Sequence, residues 1–287
     1  MAYIFKKYND GDIIYSIVTP IYNQESIICR NLQSIIDCTI GPFEIILILD
    51  YCFDNTEKNI IEFLDKYEHT KKDFIQIKIF KNAEKPLFET KCDNIGFRNA
   101  VGKYCLEIQA DMMMSEVGYN LQLVKPFLSV PNVIAVSGRY TCRLFNHACG
   151  MGKPGRLIEK TVEELGIDRS LFYVSETCNR GPLLLDRAKL MELNYLNEDE
   201  YFLDNSDHDL MARAYLEKGY ICGYVPINFI SPLSDGSTRN NKSYEYCKEY
   251  EINKLEKERL VAIMKHKPGM SKFHAIWKEK PNAVYKI

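Results

Sequence analysis

The chain has 287 residues, 46% of them hydrophobic and 26% charged, an ordinary globular composition large enough for one α/β domain or two closely packed lobes. A net charge of −2 argues against a nucleic-acid partner, whose binders carry a basic face. No apolar run approaches the roughly 20 residues that cross a bilayer, and "MAYIFKKYNDGD" lacks an apolar signal core, so a soluble, cytoplasmic protein without a membrane span is expected.

Strand and helix patterns alternate through the first half. "DIIYSIVTP" (12–20) reads as a first strand ending at a proline, and "QESIICRNLQSIIDC" (24–38) places Ile28, Leu32 and Ile35 on one helical face. After the Gly41-Pro42 break, "FEIILILD" (43–50) is continuously apolar, as a parallel strand buried on both faces should be. "DNTEKNIIEFLDKY" (54–67) opens with cap-type residues and continues as an amphipathic helix. "FIQIKIF" (74–80) alternates like a less buried strand, "KCDNIGFRNAVG" (91–102) reads as a short helix, and "KYCLEIQA" (103–110) as a strand closed by Asp111. Strand–helix–strand repetition of this kind predicts a parallel sheet wound in the Rossmann manner.

The second half is less regular. "NVIAVSGRY" (132–140) reads as a strand, "NHACGMGKPGR" (146–156) as a glycine-rich loop, and "LLLDRAKLMEL" (183–193) as a strand running into a helix. "DNSDHDLMARAYLEKGY" (204–220) predicts a helix with Gly219 at its C-cap, followed by a strand "YICGYVP" (220–226) and, from about 241, a charged helical pattern. The ten cysteines are scattered singly between Cys29 and Cys247 without a C-x-x-C pair, so buried reduced thiols are expected rather than a zinc or redox site.

Ligands of open α/β sheets bind outside the carboxyl ends of the strands. Asp50 and Asp111 close two predicted strands, and Asp207 stands at the start of the 204–220 helix. Each alone is also a common turn or cap residue. Together with their flanking segments they resemble family 2 nucleotide-sugar glycosyltransferases. "SIVTPIYNQE" is similar to that family's first strand and turn, and "FEIILILDYCFDNT" to its E-I-I-V-V-D-D-G-S-x-D-N-T stretch, with Leu49 in place of the first aspartate of the pair. "NIGFRNAVGKYCLEIQAD" resembles the N-x-G-x-x-x-A-x-G-x-Y segment leading to D-x-D, with Asn94, Gly96, Ala100, Gly102 and Tyr104 in register. "SDHDLMARAYLEKGYICGYVP" resembles the E-D-x-D-L-x-x-R-x-x-x-x-G-Y motif through Asp207, Asp209, Leu210, Arg213, Gly219 and Tyr220. The sequence departs from the pattern at Gln109, the first position of D-x-D, and at Ser206, the first of the E-D pair.

The resemblance implies a GT-A-type Rossmann-like fold with a mostly parallel central sheet. It implies a nucleotide-sugar-binding half at 1–115, an acceptor-binding and catalytic half of the same domain at 116–240, and a helical extension at 241–287. The implied reaction is inverting transfer of a hexosyl or N-acetylhexosaminyl group from a nucleoside diphosphate sugar, UDP favoured, to a hydroxyl acceptor such as a glycan. Mn²⁺ or Mg²⁺ would stabilise the leaving diphosphate from oxygen ligands, with Asp111 as the protein ligand. Asp207 would take the acceptor's proton, with Asp209 anchoring Arg213 at i+4 spacing. Asp50 would accept the imide N–H of uracil, beside a stacking Tyr22 and a wall of Thr19 and Pro20. Lys91, Gln109, Ala110 and Arg239 complete the expected nucleotide contacts, and Asn179, Arg180 and Gly181 the acceptor pocket. The three methionines after Asp111 are expected to pack rather than ligate, since thioethers suit soft metals. A nucleotidyltransferase would want a glycine-rich basic loop that "TPIYNQE" does not offer. The alternative motivated by Leu49, Gln109 and Ser206 is a degenerate transferase that binds sugar nucleotide or glycan without turnover.

Overall fold

The run at 43–50 forms β3 (Phe43–Asp50), and every one of its residues is buried. Its two parallel neighbours, β2 (Tyr15–Ile21) and β4 (Phe74–Asn82), are reached through α1 (Ile28–Cys38) and α2 (Thr56–Lys66), which pack together on one face of the sheet, while the crossover after β4 covers the other. A third crossover, α3 (Glu89–Asn99), leads to β5 (Tyr104–Glu107), which pairs in parallel with β2. The computed structural model describes residues 2–139, 161–164, 166–175, 177–201, 206–231 and 283–287.

Beyond β5 come α4 (Tyr119–Ser129), β7 (Val133–Ser137), β8 (Leu171–Ser175) and β9 (Leu183–Asp186) with α5 (Arg187–Glu192) directly after it. Then α6 (Ser206–Lys218) precedes β10 (Ile221–Tyr224). These strands join the first four in one ten-stranded sheet, edged by β1 (Ala2–Lys7) and β12 (Val284–Lys286), in the order β1-β4-β3-β2-β5-β9-β7-β10-β8-β12. All but β1, β8 and β9 run in one direction. A two-stranded sheet pairs β6 (Met113–Met114) with β11 (Phe229–Ile230). Met112 and Met114 are buried, so two of the three methionines pack as expected.

The structure corrects several boundaries. β5 stops at Glu107, four residues before Asp111. α3 starts at Glu89 rather than at 91. β1 was not visible in the sequence because it is an edge strand with Tyr3 and Phe5 exposed, and α4 was hidden by the interior Pro126. The final strand β12 falls inside the segment expected to be helical. Most of 241–287, the glycine-rich stretch at 146–156 and Arg239 lie outside the described residues.

Two details explain why the motif residues are what they are. A Cβ on Gly96 would stand 2.2 Å from Val18 Cγ1, so only glycine lets α3 lie this close to β2. Asn94 is fully buried and brackets Leu196, donating Nδ2 to its carbonyl at 2.8 Å and accepting its N–H at 3.0 Å. Arg213 meets Asp209 at 2.8 Å as the i+4 spacing requires, and also caps the carbonyls of Leu193 and Tyr195 at 2.6 and 2.7 Å.

At the amino ends of the parallel strands the sheet encloses a carboxylate. Glu44 is fully buried, yet Oε1 accepts from Ser16 Oγ at 2.6 Å and Val101 N at 2.9 Å, while Oε2 accepts from Gln76 at 2.7 Å and pairs with Lys78 at 2.8 Å. Every lone pair direction is answered, as burial of a charge demands. The described cysteines are free thiols, five buried and two half-buried. Among the described residues no helix is long and apolar enough to cross a membrane.

Candidate active site

Chemistry-bearing side chains gather at the opposite, carboxyl end of the strands. Directly after β5 the chain turns through residues 108–112, and α1 holds that turn in place. Asn31, fully buried, donates Nδ2 to the carbonyls of Gln109 and Met112, and Ser34 Oγ accepts the N–H of Met114 at 3.0 Å. Asp111 therefore stands half-buried on a clamped turn, not at the end of a strand. Gln109 donates its amide to Glu89 Oε1 at 2.8 Å and accepts from Arg139 Nη2 at 3.4 Å.

Beneath this turn lies a group of acids that the sequence reading did not single out. Glu89 and Asp93 of α3 and Glu107 of β5 bring carboxylate oxygens within 4.8 Å of one another. Arg180, itself 6% exposed, inserts between them: Nη1 is 3.2 Å from both Glu89 Oε2 and Asp93 Oδ2. Its Nη2 donates to Thr90 Oγ1 at 3.2 Å and to Ser206 Oγ, the first residue of α6. The next residue, Gly181, donates its N–H to Glu107 at 2.6 Å. Gly181 adopts φ +54°, and a Cβ there would meet Met112 Sδ at 2.8 Å, so glycine is required by conformation and by space. The loop 177–182 thus ties β5, α3 and α6 together, with Thr177 Oγ1 also bonded to His208 Nδ1.

Three of the acids around this buried guanidinium are pushed in opposite directions. Burial pushes the Asp93 carboxyl well above the usual range; Arg180 opposes this, while Glu107, Glu89 and Asp207 add to it. Burial likewise lifts Glu107 to about 8, with Glu89 adding to the rise and Arg180 opposing it. Asp207 goes the other way: burial works to raise it, but the charges of His208 and Arg180 and the backbone N–H groups of His208 and Arg180 together hold it below the ordinary value. Burial also drains charge from Arg180, yet Glu89, Asp93, Asp207 and Glu107 keep it firmly protonated.

The remaining expected residues fall into two sets. Thr19 is fully buried at the end of β2, and its hydroxyl has no hydrogen-bond partner among the described residues. Pro20 and Tyr22 follow half-buried, Tyr22 edge-on to Phe53 at 6.2 Å between ring centroids. Ala110 is buried in the clamped turn and Asn179 half-buried in the 177–182 loop. Lys91 is exposed on α3. Asp50 closes β3 as expected, but its oxygens already accept from Leu87 N, Phe88 N and Asn82 Nδ2 at 2.8–2.9 Å, so it pins the loop 83–88. Burial raises its carboxyl despite those bonds. Arg180, which the resemblance puts in the acceptor pocket, has its guanidinium engaged by the interior acids and hydroxyls.

Oxygen donors suit a hard divalent cation. The Glu89–Asp93–Glu107 trio has the spacing for one, with the Arg180 guanidinium beside it as counter-ion. Two signals for the buried acids were present in the sequence: Glu107 interrupts an apolar strand, and Glu89 and Asp93 are like charges at i,i+4, a pairing that repels unless a cation intervenes.

Residues 16–190 match the family described as Glycosyl transferase family 2. No curated protein matches the chain. Among solved structures, the mannosyltransferase PcManGT from Pyrobaculum calidifontis, in complex with GDP-Man and Mn²⁺, is similar at TM-score 0.55 and 16% identity, over 74% of this chain and 54% of that one. GalNAc-T7 with UDP, GalNAc and Mn²⁺ is similar at 0.57 and 16%, over 76% and 44%. TarS (1–349) of S. aureus with UDP-GlcNAc is similar at 0.51 and 14%, over 76% and 58%. The chain spans about half the length of these proteins, and at such identities the likeness is one of fold. The family match extends from β2 into α5, well over half of the chain, so the chain belongs to glycosyl transferase family 2.

Proposed function

We propose that the chain transfers a sugar from a nucleoside diphosphate sugar, UDP favoured, to a hydroxyl acceptor of a glycan or other molecule, with inversion at the anomeric carbon. The observation that carries this reading is the placing of Asp207, buried at the start of α6 beside the Arg180 loop and held as a carboxylate while Asp93 and Glu107 are pushed up. Environments that drive titratable groups apart mark acid and base assignments. The acceptor oxygen forms its bond to the anomeric carbon as the bond to the diphosphate oxygen breaks, and the hydroxyl proton passes to Asp207. The products are a nucleoside diphosphate and an inverted glycoside.

Thr19, Pro20 and Tyr22 line the base side, and Asp50 fixes the loop 83–88 beside them. Gln109, Ala110 and Asp111 present the turn to the ribose and diphosphate, with Lys91 and Arg239 as the added cations of the nucleotide side. Asn179 and Gly181 face the acceptor. A divalent ion, Mn²⁺ or Mg²⁺, supplies Lewis-acid stabilisation of the leaving diphosphate, and Asp111 would hold it. That relatives of similar fold were solved with Mn²⁺ and nucleotide or nucleotide sugar supports this choice of cofactor and donor class.

Asp207→Asn tests the assignment, because Asn keeps the size and the side-chain oxygen that accepts the His208 N–H while removing the carboxylate. The variant should lose some stability near neutral pH, since the folded state holds Asp207 below its ordinary range, yet still fold and keep the melting shift given by UDP with Mn²⁺. Its transfer rate should fall by about 10²–10⁴-fold, the usual loss on removing a general base. Transfer at near wild-type rate would remove Asp207 from the mechanism. A wild-type protein that binds UDP-sugars but neither transfers nor hydrolyses any of a UDP-, GDP- and dTDP-sugar panel would be a binder instead.

A further inference from the structure

Arg180 makes contacts that the acceptor surface does not explain. Its guanidinium reaches Glu89, Thr90 and Asp93 on one side and Ser206 on the other, so a single side chain spans from α3 to the first residue of α6. Its own backbone N–H adds a hydrogen bond to the Asp207 carboxylate. Those segments lie some 90 residues away on the α3 side and 26 on the α6 side in sequence. Thr177, three residues earlier, holds His208, the residue after Asp207. The loop therefore grips three consecutive residues of α6, and Arg180 makes two of the three grips.

We propose that Arg180 is a positioning residue for sugar transfer: it locks the amino end of α6 onto α3 and so sets the direction in which the Asp207 carboxylate faces the acceptor. This rests on the reading of Asp207 as proton acceptor. The arrangement separates two jobs that a structural strut would not. Fork geometry matters for direction, because two nitrogens address two different elements and a lysine would offer one. Charge matters for ionisation. The charged groups that reach Asp207 are His208 on its own helix, Arg180 from the loop before β9 and Asp93 from α3, with Glu89 of α3 and Glu107 of β5 around the same guanidinium. Asp93 favours the protonated form of Asp207 once it ionises, while the charges of His208 and Arg180 favour the carboxylate.

Two variants separate the jobs. Arg180→Lys keeps the charge and loses the fork. It should lower kcat for transfer by about 10- to 100-fold, the scale of a small misplacement of reacting groups, with the donor KM within about twofold of wild type. Arg180→Met combined with Asp93→Asn removes the guanidinium together with the more buried of its two ion-pair partners, leaving the half-buried Glu89 as the acid that loses its cation. In that pair the acidic limb of the kcat–pH profile should move up by about one unit or more, the direction expected when a carboxylate loses a neighbouring cation. In an Asp207→Asn background neither change should cost further activity, since groups acting as a unit are non-additive. If Asp207→Asn abolishes transfer while Arg180→Lys keeps wild-type kcat and the paired variant keeps the wild-type pH profile, the positioning role is wrong and the base assignment stands. If Asp207→Asn transfers normally, the base assignment itself has failed. A donor KM that rises in Arg180→Lys while kcat holds would place Arg180 in donor binding and overturn the proposal.

Discussion

The two ends of the sheet treat buried carboxylates in opposite ways. At the amino end, Glu44 is alone, has four partners, and includes a lysine among them. At the carboxyl end, Glu89, Asp93, Glu107 and Asp207 share Arg180; neither oxygen of Asp93 nor Oε1 of Glu107 takes a hydrogen bond among the described residues. A charge taken out of water is tolerated when its partners replace the water, and Glu44 meets that condition. The cluster does not, and folded proteins retain such incompletely answered groups chiefly where function requires them. Glu44 belongs to the fold, and the cluster belongs to the site.

One substitution made at both ends should change stability with opposite sign. Glu44→Gln replaces an oxygen by an NH₂ group, yet both Glu44 oxygens face donors. Lys78 and Gln76 lie on one side. On the other are the Val101 N–H and the Ser16 hydroxyl, which must donate here because it accepts from Gly102 N at 2.8 Å. Whichever way the amide turns, donor meets donor and the lysine loses its counter-charge. Breaking a buried pair in this way costs about 3–5 kcal/mol. Chemical denaturation should show the loss, and a variant within 1 kcal/mol of wild type, roughly the scale of an ordinary surface change, would mean that the Glu44 network contributes little.

Glu107→Gln should do the reverse, by a smaller amount and only at higher pH. The folded protein holds the Glu107 proton up to about 8, whereas the unfolded chain releases it near the ordinary glutamate value of 4.5. Between those values the folded state binds more protons, so this group's contribution to stability falls as pH rises. A glutamine cannot titrate, and its oxygen still accepts the Gly181 N–H. The variant should therefore gain on wild type steadily as pH climbs through that window, read from urea midpoints at several pH values. Asp93, Asp50 and Asp209 are also shifted upward, and they keep part of the slope in the variant. A constant difference between the two proteins across the window would show that Glu107 is ionised throughout.

The same contrast explains what the sequence discloses. β3, α1 and the α3–β5 motif were legible because burial on both faces and close packing at Gly96 leave a periodic, local imprint. Asp209 and Arg213 were legible for the same reason, being one helical turn apart. The cluster was not, because Arg180 meets Thr90 at a separation of 90 residues and Gly181 meets Glu107 at 74. Asn31, which clamps the turn carrying Asp111, likewise acts across 78 and 81 residues and looks like any polar residue on a helix. Contacts made by topology have no period to read. Motif letters named the neighbourhood of the site, but which acids are shared, which are satisfied and where Arg180 points emerged only in three dimensions.

The smallest effect expected is at Gln109, and it asks whether the cluster has already absorbed the acid missing from D-x-D. The family pattern alone expects an aspartate at 109 to be harmless. In the structure Gln109 donates its amide to Glu89 at 2.8 Å, and an aspartate has no proton to give. Gln109→Asp would set another carboxylate against Glu89 and lose that bond, for about 1–2 kcal/mol, the range of one hydrogen bond to a charged group. In a chain of this size that is a melting-temperature fall of a few degrees. Exchanging the pair, Glu89→Gln with Gln109→Asp, restores one donor and one acceptor and should recover most of the loss. UDP with Mn²⁺ should narrow the gap of the single variant as well, because a bound cation near Asp111 offsets the added charge. A single variant as stable as wild type without metal would show that Glu89 does not depend on the Gln109 amide. The cluster would then stop short of the turn, and the acid absent at 109 would be absent from the site as a whole.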